Sequence, residues 1–333
     1  MQKKLQKLTC TLFLALSIAA CSGGGGGSDD GSDLTTFNCT IPTNLLPLTV
    51  LEGETQTAEI VEVINSFLGT ANALGFLIDL AGDAAASGST SCDASMGTVT
   101  ITFTDADMSG TVTQGDSIRA VFSDCLSDGA VINGRFEITY TTITGTDPGN
   151  KASGTDWSAV LTSQLTALEV EEAGESIRFD GDLTINIVYS FGAATVDATA
   201  TSTLLELRLN NSECGSIANA NINSFLNVGT DAYDVTFTIG QIASTEDIDG
   251  VISNINSVGG FNLIGVEVLS ADEYFVELDG VMGPNMGRFT LDGDTSNILV
   301  RIMDVTMVDI DVDEDANMSP DGTIMTDWGS LVN

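Results

Sequence analysis

The sequence predicts a mainly β protein: an antiparallel β-meander forming an open curved sheet or half-barrel, with one long apolar helix near residues 57–83. Three observations carry that expectation. Downstream of residue 95, apolar residues alternate with polar ones, the period of a strand with one wet face. Asn-Gly and Asp-Gly pairs punctuate these runs, and such dipeptides favour tight reversals. One earlier stretch instead repeats its apolar residues every three or four positions.

That stretch is "TAEIVEVINSFLGTANALGFLIDLAGD", residues 57–83. Ile60, Ile64, Phe67, Ala71, Leu74 and Leu77 share one helical face, and Val61, Leu68 and Ile78 make it wider than a surface helix needs. The sixteen uncharged residues from Val63 to Ile78 fall short of a membrane span. Glu59, Glu62 and Asp79 stand where a membrane-surface helix would carry Lys or Arg. A helix buried on a sheet is expected.

The strands follow in order. "TVTITFT" puts Val99, Ile101 and Phe103 on one face, and "RFEITYTTI" does the same with Phe136, Ile138 and Tyr140. "LTINIVY" repeats the pattern from Leu183 to Tyr189, "YDVTFTI" from Tyr233 to Ile239, and "YFVEL" and "NILVRI" come later. Turns are expected at Asn133-Gly134, Asp180-Gly181, Asp249-Gly250, Asp279-Gly280 and Asp292-Gly293. A weak internal echo, including Thr155-Asp156-Trp157 and Thr326-Asp327-Trp328, leaves open two related sheet units within residues 35–333. Both tryptophans read as core plugs.

The amino end has a different purpose. Lys3, Lys4 and Lys7 precede an uncharged apolar run from Leu8 to Ala20, too short to span a bilayer and typical of a signal peptide over residues 1–20. Ile18-Ala19-Ala20-Cys21 resembles the lipobox of bacterial lipoproteins. The resemblance, which covers residues 1–21 only, implies a diacylglycerol on the Cys21 sulfur and an acyl chain on its amino group after cleavage. Each buried lipid CH₂ contributes about 0.8 kcal/mol, and stable anchoring takes more than one chain. Residues 21–34, with Gly23 to Gly27, read as a solvated tether, and Ser22 after the cysteine favours the outer membrane by the same resemblance.

Charge and cysteine usage narrow the class. Three of the ten bases and none of the 47 acids precede Cys21, so the mature body carries 47 acids against 7 bases. Such a field disfavours nucleic acid and anionic head groups. The absence of histidine removes His-dependent triads and His-liganded metals. Cys39, Cys92, Cys125 and Cys214 remain for two disulfides. Cys92–Cys125 is favoured because the pair brackets one strand-rich unit, with Cys39–Cys214 by elimination; a zinc site is the alternative, without a C-x-x-C pair to support it.

The chemical candidate is "VDIDVDEDANMSPDG", residues 308–322. A straight strand would hold Asp309 and Asp313 ~13 Å apart, too far to share an ion. A loop could gather Asp311, Asp313, Asp315 and Asp321 as a weak Ca²⁺ site, although an EF-hand frame started at Asp309 or Asp311 fits poorly. The expected function is a lipid-anchored, non-catalytic envelope protein with a structural or binding role, facing the periplasm or the cell surface. A hydrophobic small molecule or another envelope protein is the expected partner. The alternatives are a calcium-dependent surface or adhesion protein and a carboxylate- or metal-dependent secreted hydrolase.

Overall fold

The computed structural model describes residues 40–65, 67–68, 70–71, 92, 97–127, 130–145, 154–172, 175–209, 213–227, 232–245, 249–259, 261–263, 284–304 and 306–332. The signal peptide, Cys21, the tether, Cys39, "YFVEL" and Asp279-Gly280 lie outside these residues.

The described chain is mainly β. Its strands are β1 (Thr98–Thr104), β2 (Ser117–Ser127), β3 (Ala130–Gly145), β4 (Trp157–Glu172), β5 (Glu175–Ser190), β6 (Thr195–Leu209) and β7 (Glu213–Asn227). They continue as β8 (Ala232–Ser244), β9 (Gly250–Ser257), β10 (Phe261–Leu263), β11 (Pro284–Asp292), β12 (Asn297–Ile302), β13 (Met307–Asp313) and β14 (Gly322–Asp327). All belong to one antiparallel sheet in chain order, open between β1 and β14 among the described residues.

β9 and β10 share a single place in that order. β8 pairs Thr238 with Asn256 of β9 and Val235 with Phe261 of β10, and β11 meets both strands in the same direction. They are one interrupted strand, so fourteen strands fill thirteen positions. At the interruption the Ser257 hydroxyl accepts the Phe237 N–H at 2.8 Å and donates to the Phe237 carbonyl at 3.1 Å, replacing a backbone rung. Phe237, Phe261 and Phe289 pack there with ring centroids 5.4–5.7 Å apart.

Alternation along the strands sends apolar residues to one face. Ile138, Tyr140, Ile185, Ile187, Ile222, Ile239 and Val300 are fully buried, within one continuous hydrophobic cluster. Trp157 and Trp328 join it at 2 % and 3 % exposure. The opposite face carries Thr, Asn and Ser, from Thr162 to Thr184, Thr201, Asn221 and Thr238 in one cross-strand row.

Two expected turns are corrected. Asn133-Gly134 lies within β3 and Asp180-Gly181 within β5. Both dipeptides face bulges in the neighbouring strand. β2 carries an extra residue between Phe122 and Cys125, β4 between Leu165 and Leu168, and β6 an extra one opposite Gly181–Thr184. Gly134 has φ +96°, and a Cβ there would lie 1.9 Å from the Ala167 carbonyl oxygen; a Cβ on Gly181 would lie 2.2 Å from that of Leu204. The Asn and Asp side chains accept the amides that the bulges displace: Asn133 from Asp124 at 2.7 Å and Asp180 from Ala167 at 2.6 Å. Asp182 accepts from Thr203 at 3.0 Å in the same way. A left-handed glycine serves a type I′ hairpin and a bulge equally well, which is why the dipeptides read as reversals. Asp249-Gly250 opens β9, and at Asp292-Gly293 the Gly293 N–H closes a turn on the Ser296 carbonyl.

The expected helix is corrected too. Helix α1 begins at Gly53 rather than Thr57 and is described over 53–65, 67–68 and 70–71. A helix of the length expected for 57–83 is not found among the described residues, because 72–83 lie outside them. Its first turn, Gly-Glu-Thr-Gln, has no apolar residue for periodicity to detect; it is closed by Gln56 N–H to Glu52 and by the Thr57 hydroxyl to Gly53. Ile60, Val61, Ile64, Phe67, Leu68 and Ala71 on α1 are buried.

A strap precedes α1. Leu46 N–H donates to the Val251 carbonyl and the Leu46 carbonyl accepts the Asp294 N–H, Leu48 N–H donates to the Ser296 hydroxyl at 2.7 Å, and Val50 N–H donates to Glu314 at 2.8 Å. Gly53 then seats α1 against Val312, Ile324 and Ile298, and the Thr326 hydroxyl donates to Glu54. Cys92 is bonded to Cys125. Cys214 is also disulfide-bonded, while its expected partner Cys39 lies outside the described residues.

Candidate cation sites on two acidic loops

Two loops gather carboxylates. The β1–β2 loop brings Asp105, Asp107 and Asp116 together, and the β13–β14 loop brings Asp313, Asp315 and Asp321; within each set one oxygen per residue lies within 4.8 Å of the others. Strand alternation puts the two loops at opposite ends of the strands and at opposite edges of the sheet.

The loops are built alike. Asp105 Oδ1 accepts the Ser109 N–H at 3.0 Å and Oδ2 the Gly110 N–H at 2.7 Å. Asp313 Oδ1 accepts the Asn317 N–H at 3.1 Å and Oδ2 the Met318 N–H at 2.7 Å. The second aspartates, Asp107 and Asp315, accept the same Ser109 and Asn317 amides. The side-chain oxygens of Ser109 and Asn317 in turn accept the amides of Thr111 and Ser319. Positive φ recurs at matched places: Met108 and Ala316, then Gly110 and Met318. These turns aim successive carboxylates inward, as oxygen-only cation loops do.

The third carboxylates differ. Asp116 is fully buried, and accepts from Ala106 N–H at 2.8 Å, Thr113 N–H at 2.6 Å and the Thr113 hydroxyl at 3.2 Å. Burial first, and then the charge of Asp116, push the Tyr140 phenol up, so it stays neutral. Asp321 is exposed and accepts from Glu314 N–H at 2.8 Å. Burial tends to raise Asp313, but the amides of Met318 and Asn317 outweigh it and hold the carboxyl below its ordinary value. Asp107 is held low chiefly by the Ser109 hydroxyl.

Asp311, expected among the ligands, does not join them. It pairs with Arg301 at 2.7 Å and accepts the Thr323 hydroxyl at 2.7 Å; Arg301 also reaches Asp309 at 3.7 Å. Like charges in line on β13 are thus met by an arginine on β12, and the set reduces to three residues. The β1–β2 loop was missed by sequence reasoning, although a signal was present. Asp105-x-Asp107-x-Ser109-Gly110-x₅-Asp116 follows the spacing of an EF-hand loop, with Ser in the fifth position and Asp in the twelfth, between strands instead of helices.

No protein-family model matches this chain, and no match was found among the curated proteins or the solved structures. Function therefore rests on the residues themselves.

Proposed function

We propose that this protein is a lipid-anchored, non-catalytic component of the bacterial outer membrane with a structural or binding role. The observation that carries the reading is Ile18-Ala19-Ala20-Cys21, followed by a glycine tether that leads to a sheet-built body. Two acyl chains suffice for stable anchoring where one does not. Lack of histidine in all 333 residues supports the non-catalytic part. The bulges along β2, β4 and β6 support a curved, half-barrel sheet. Binding at the apolar face has less support, because Tyr140, Trp157, Phe237 and Phe289 are already buried there at 0–2 % exposure. An alkyne-palmitate label should reach the protein in growing cells and disappear in Cys21→Ser, which should leave the membrane pellet. A labelled Cys21→Ser variant, or one that still sediments with membranes, would sink the proposal.

A second reading is favoured by the matched loops: calcium clips the two edge hairpins, in a surface or adhesion role. The chain's excess of acids over bases suits a divalent-rich medium. Calorimetric titration of the chelator-treated protein should show heat at millimolar calcium, reduced in Asp313→Asn and in Asp105→Asn. Absence of heat discards this reading.

A further inference from the structure

We propose that β1 is the contact edge of a symmetric dimer, in which β1 of one copy pairs antiparallel with β1 of a second copy. An edge strand offers unpaired N–H and C=O groups, and soluble proteins usually blunt it with charge, proline, a bulge or a cover. Among the described residues, β1 has none of these guards along its length. Residues 97–104 contain no charge and no proline, the β1–β2 register is unbroken over seven pairs, and among the described residues β1 pairs only with β2. β14, the other edge, is guarded: it carries a charge of its own at Asp327, Val50 packs on Gly322, and Glu54 takes the Thr326 hydroxyl.

The sequence of β1 specifies its own copy. Thr-Val-Thr-Ile-Thr-Phe-Thr reads nearly the same in both directions about Ile101. With Ile101 on the two-fold axis, Ile101 faces its copy, Thr100 faces Thr102, Val99 faces Phe103, and Thr98 faces Thr104. Threonines then meet threonines on the exposed face, while the half-buried Val99, Ile101 and Phe103, which pack against the core, meet their apolar counterparts. A chain of formal charge −37 repels a second copy over most of its surface, and a charge-free edge is where close approach costs least. The Asp105–Asp107–Asp116 loop at the end of β1 would lie beside the start of the partner strand, so the two acidic loops stay apart at opposite ends of the pair. Isologous pairing closes at two copies; β1 against β14 would instead propagate head to tail.

Single cysteines test the register in membranes from cells that carry the full chain. Directly opposed strand residues have Cα atoms about 4.5–5.5 Å apart, within disulfide reach. Ile101→Cys should give a covalent dimer under mild oxidation. Phe103→Cys, displaced from its own copy by roughly 13 Å, should give at least about tenfold less. Met325→Cys, on β14, should give none. Co-expressed Thr100→Cys and Thr102→Cys should cross-link to each other; both positions are exposed, so they test the same register without disturbing the fold. Equal yields at 101 and 103, no 100–102 product, or a dominant product at 325 each overturn the dimer.

Discussion

The two ends of the sheet handle strand length in different ways. Strands β2 to β6 run for 11 to 16 residues and meet through shifted registers, with bulges on β2, β4 and β6 that face Gly134 or Gly181 and a further one on β3 at Thr141. Strands β12 to β14 run for 6 or 7 residues, pair without a register shift, and receive the strap and the first turn of α1. Long twisted strands accumulate strain, which an extra residue relieves by bending the strand. Short strands need no relief and are covered by side chains instead. In one region the solution is written in backbone conformation and in the other in packing, and the two should fail differently.

The largest expected effect lies at the bulge glycines. Gly134→Ala meets both a positive φ and a carbonyl oxygen at 1.9 Å, and the backbone oxygen cannot swing aside. A loss of about 3 kcal/mol or more is expected, read as a drop in the urea midpoint. Gly322→Ala, in the capped region, has ordinary φ and meets first the Val50 side chain, its methyls at 2.7 Å, so about 1–2 kcal/mol is expected. If Gly322→Ala proves the costlier, the contrast between backbone and packing fails.

Much of this contrast was hidden from the sequence for a definable reason. Alternation in "TVTITFT" and "NILVRI" exposed the strands because burial on one face leaves a period of two. Asn133-Gly134 and Asp180-Gly181 showed that φ would turn positive, but bulge and hairpin share that requirement, and only the neighbouring strand decides between them. The acidic run at 308–322 stood out through its alternating aspartates, yet register against Arg301 on β12 removes Asp311. The 105–116 loop was harder to see, since its twelfth-position acid lies far along the chain and nothing local announces that Asp116 is buried.

The next effect concerns the side chains that catch loose amides. Asp180→Ala leaves the Ala167 N–H at the bulge without its acceptor, and also removes the carboxylate that pairs with Arg178 at 2.7 Å. An unsatisfied, partly buried donor costs about 1–3 kcal/mol. Ser296→Ala removes the acceptor of the buried Leu48 N–H in the strap, and a loss of the same order, about 1–3 kcal/mol, is expected. Hydrogen exchange distinguishes the two: Ala167 should lose protection in the first variant and Leu48 in the second. Loss of protection across the whole sheet in Ser296→Ala would show that the strap is not a separate cover.

The smallest expected effect is a pH dependence that compares the acidic loops themselves. Asp107, Asp304 and Asp313 are held below the ordinary carboxylate value, Asp304 chiefly by the amides of Thr306 and Met307. A carboxyl with a lowered folded pKa stabilises the fold fully above its unfolded value, about 3.9, and loses that contribution as pH falls through the folded value. Urea midpoints should therefore be flat near neutrality and decline below about pH 4. Asp313 is buried and takes two amides, whereas Asp107 is exposed and depends mainly on one serine, so Asp313→Asn should flatten the acid limb more than Asp107→Asn. Equal slopes in the two variants would mean that the shared hydrogen-bond pattern, not the difference in burial, sets the acid response of both hairpins.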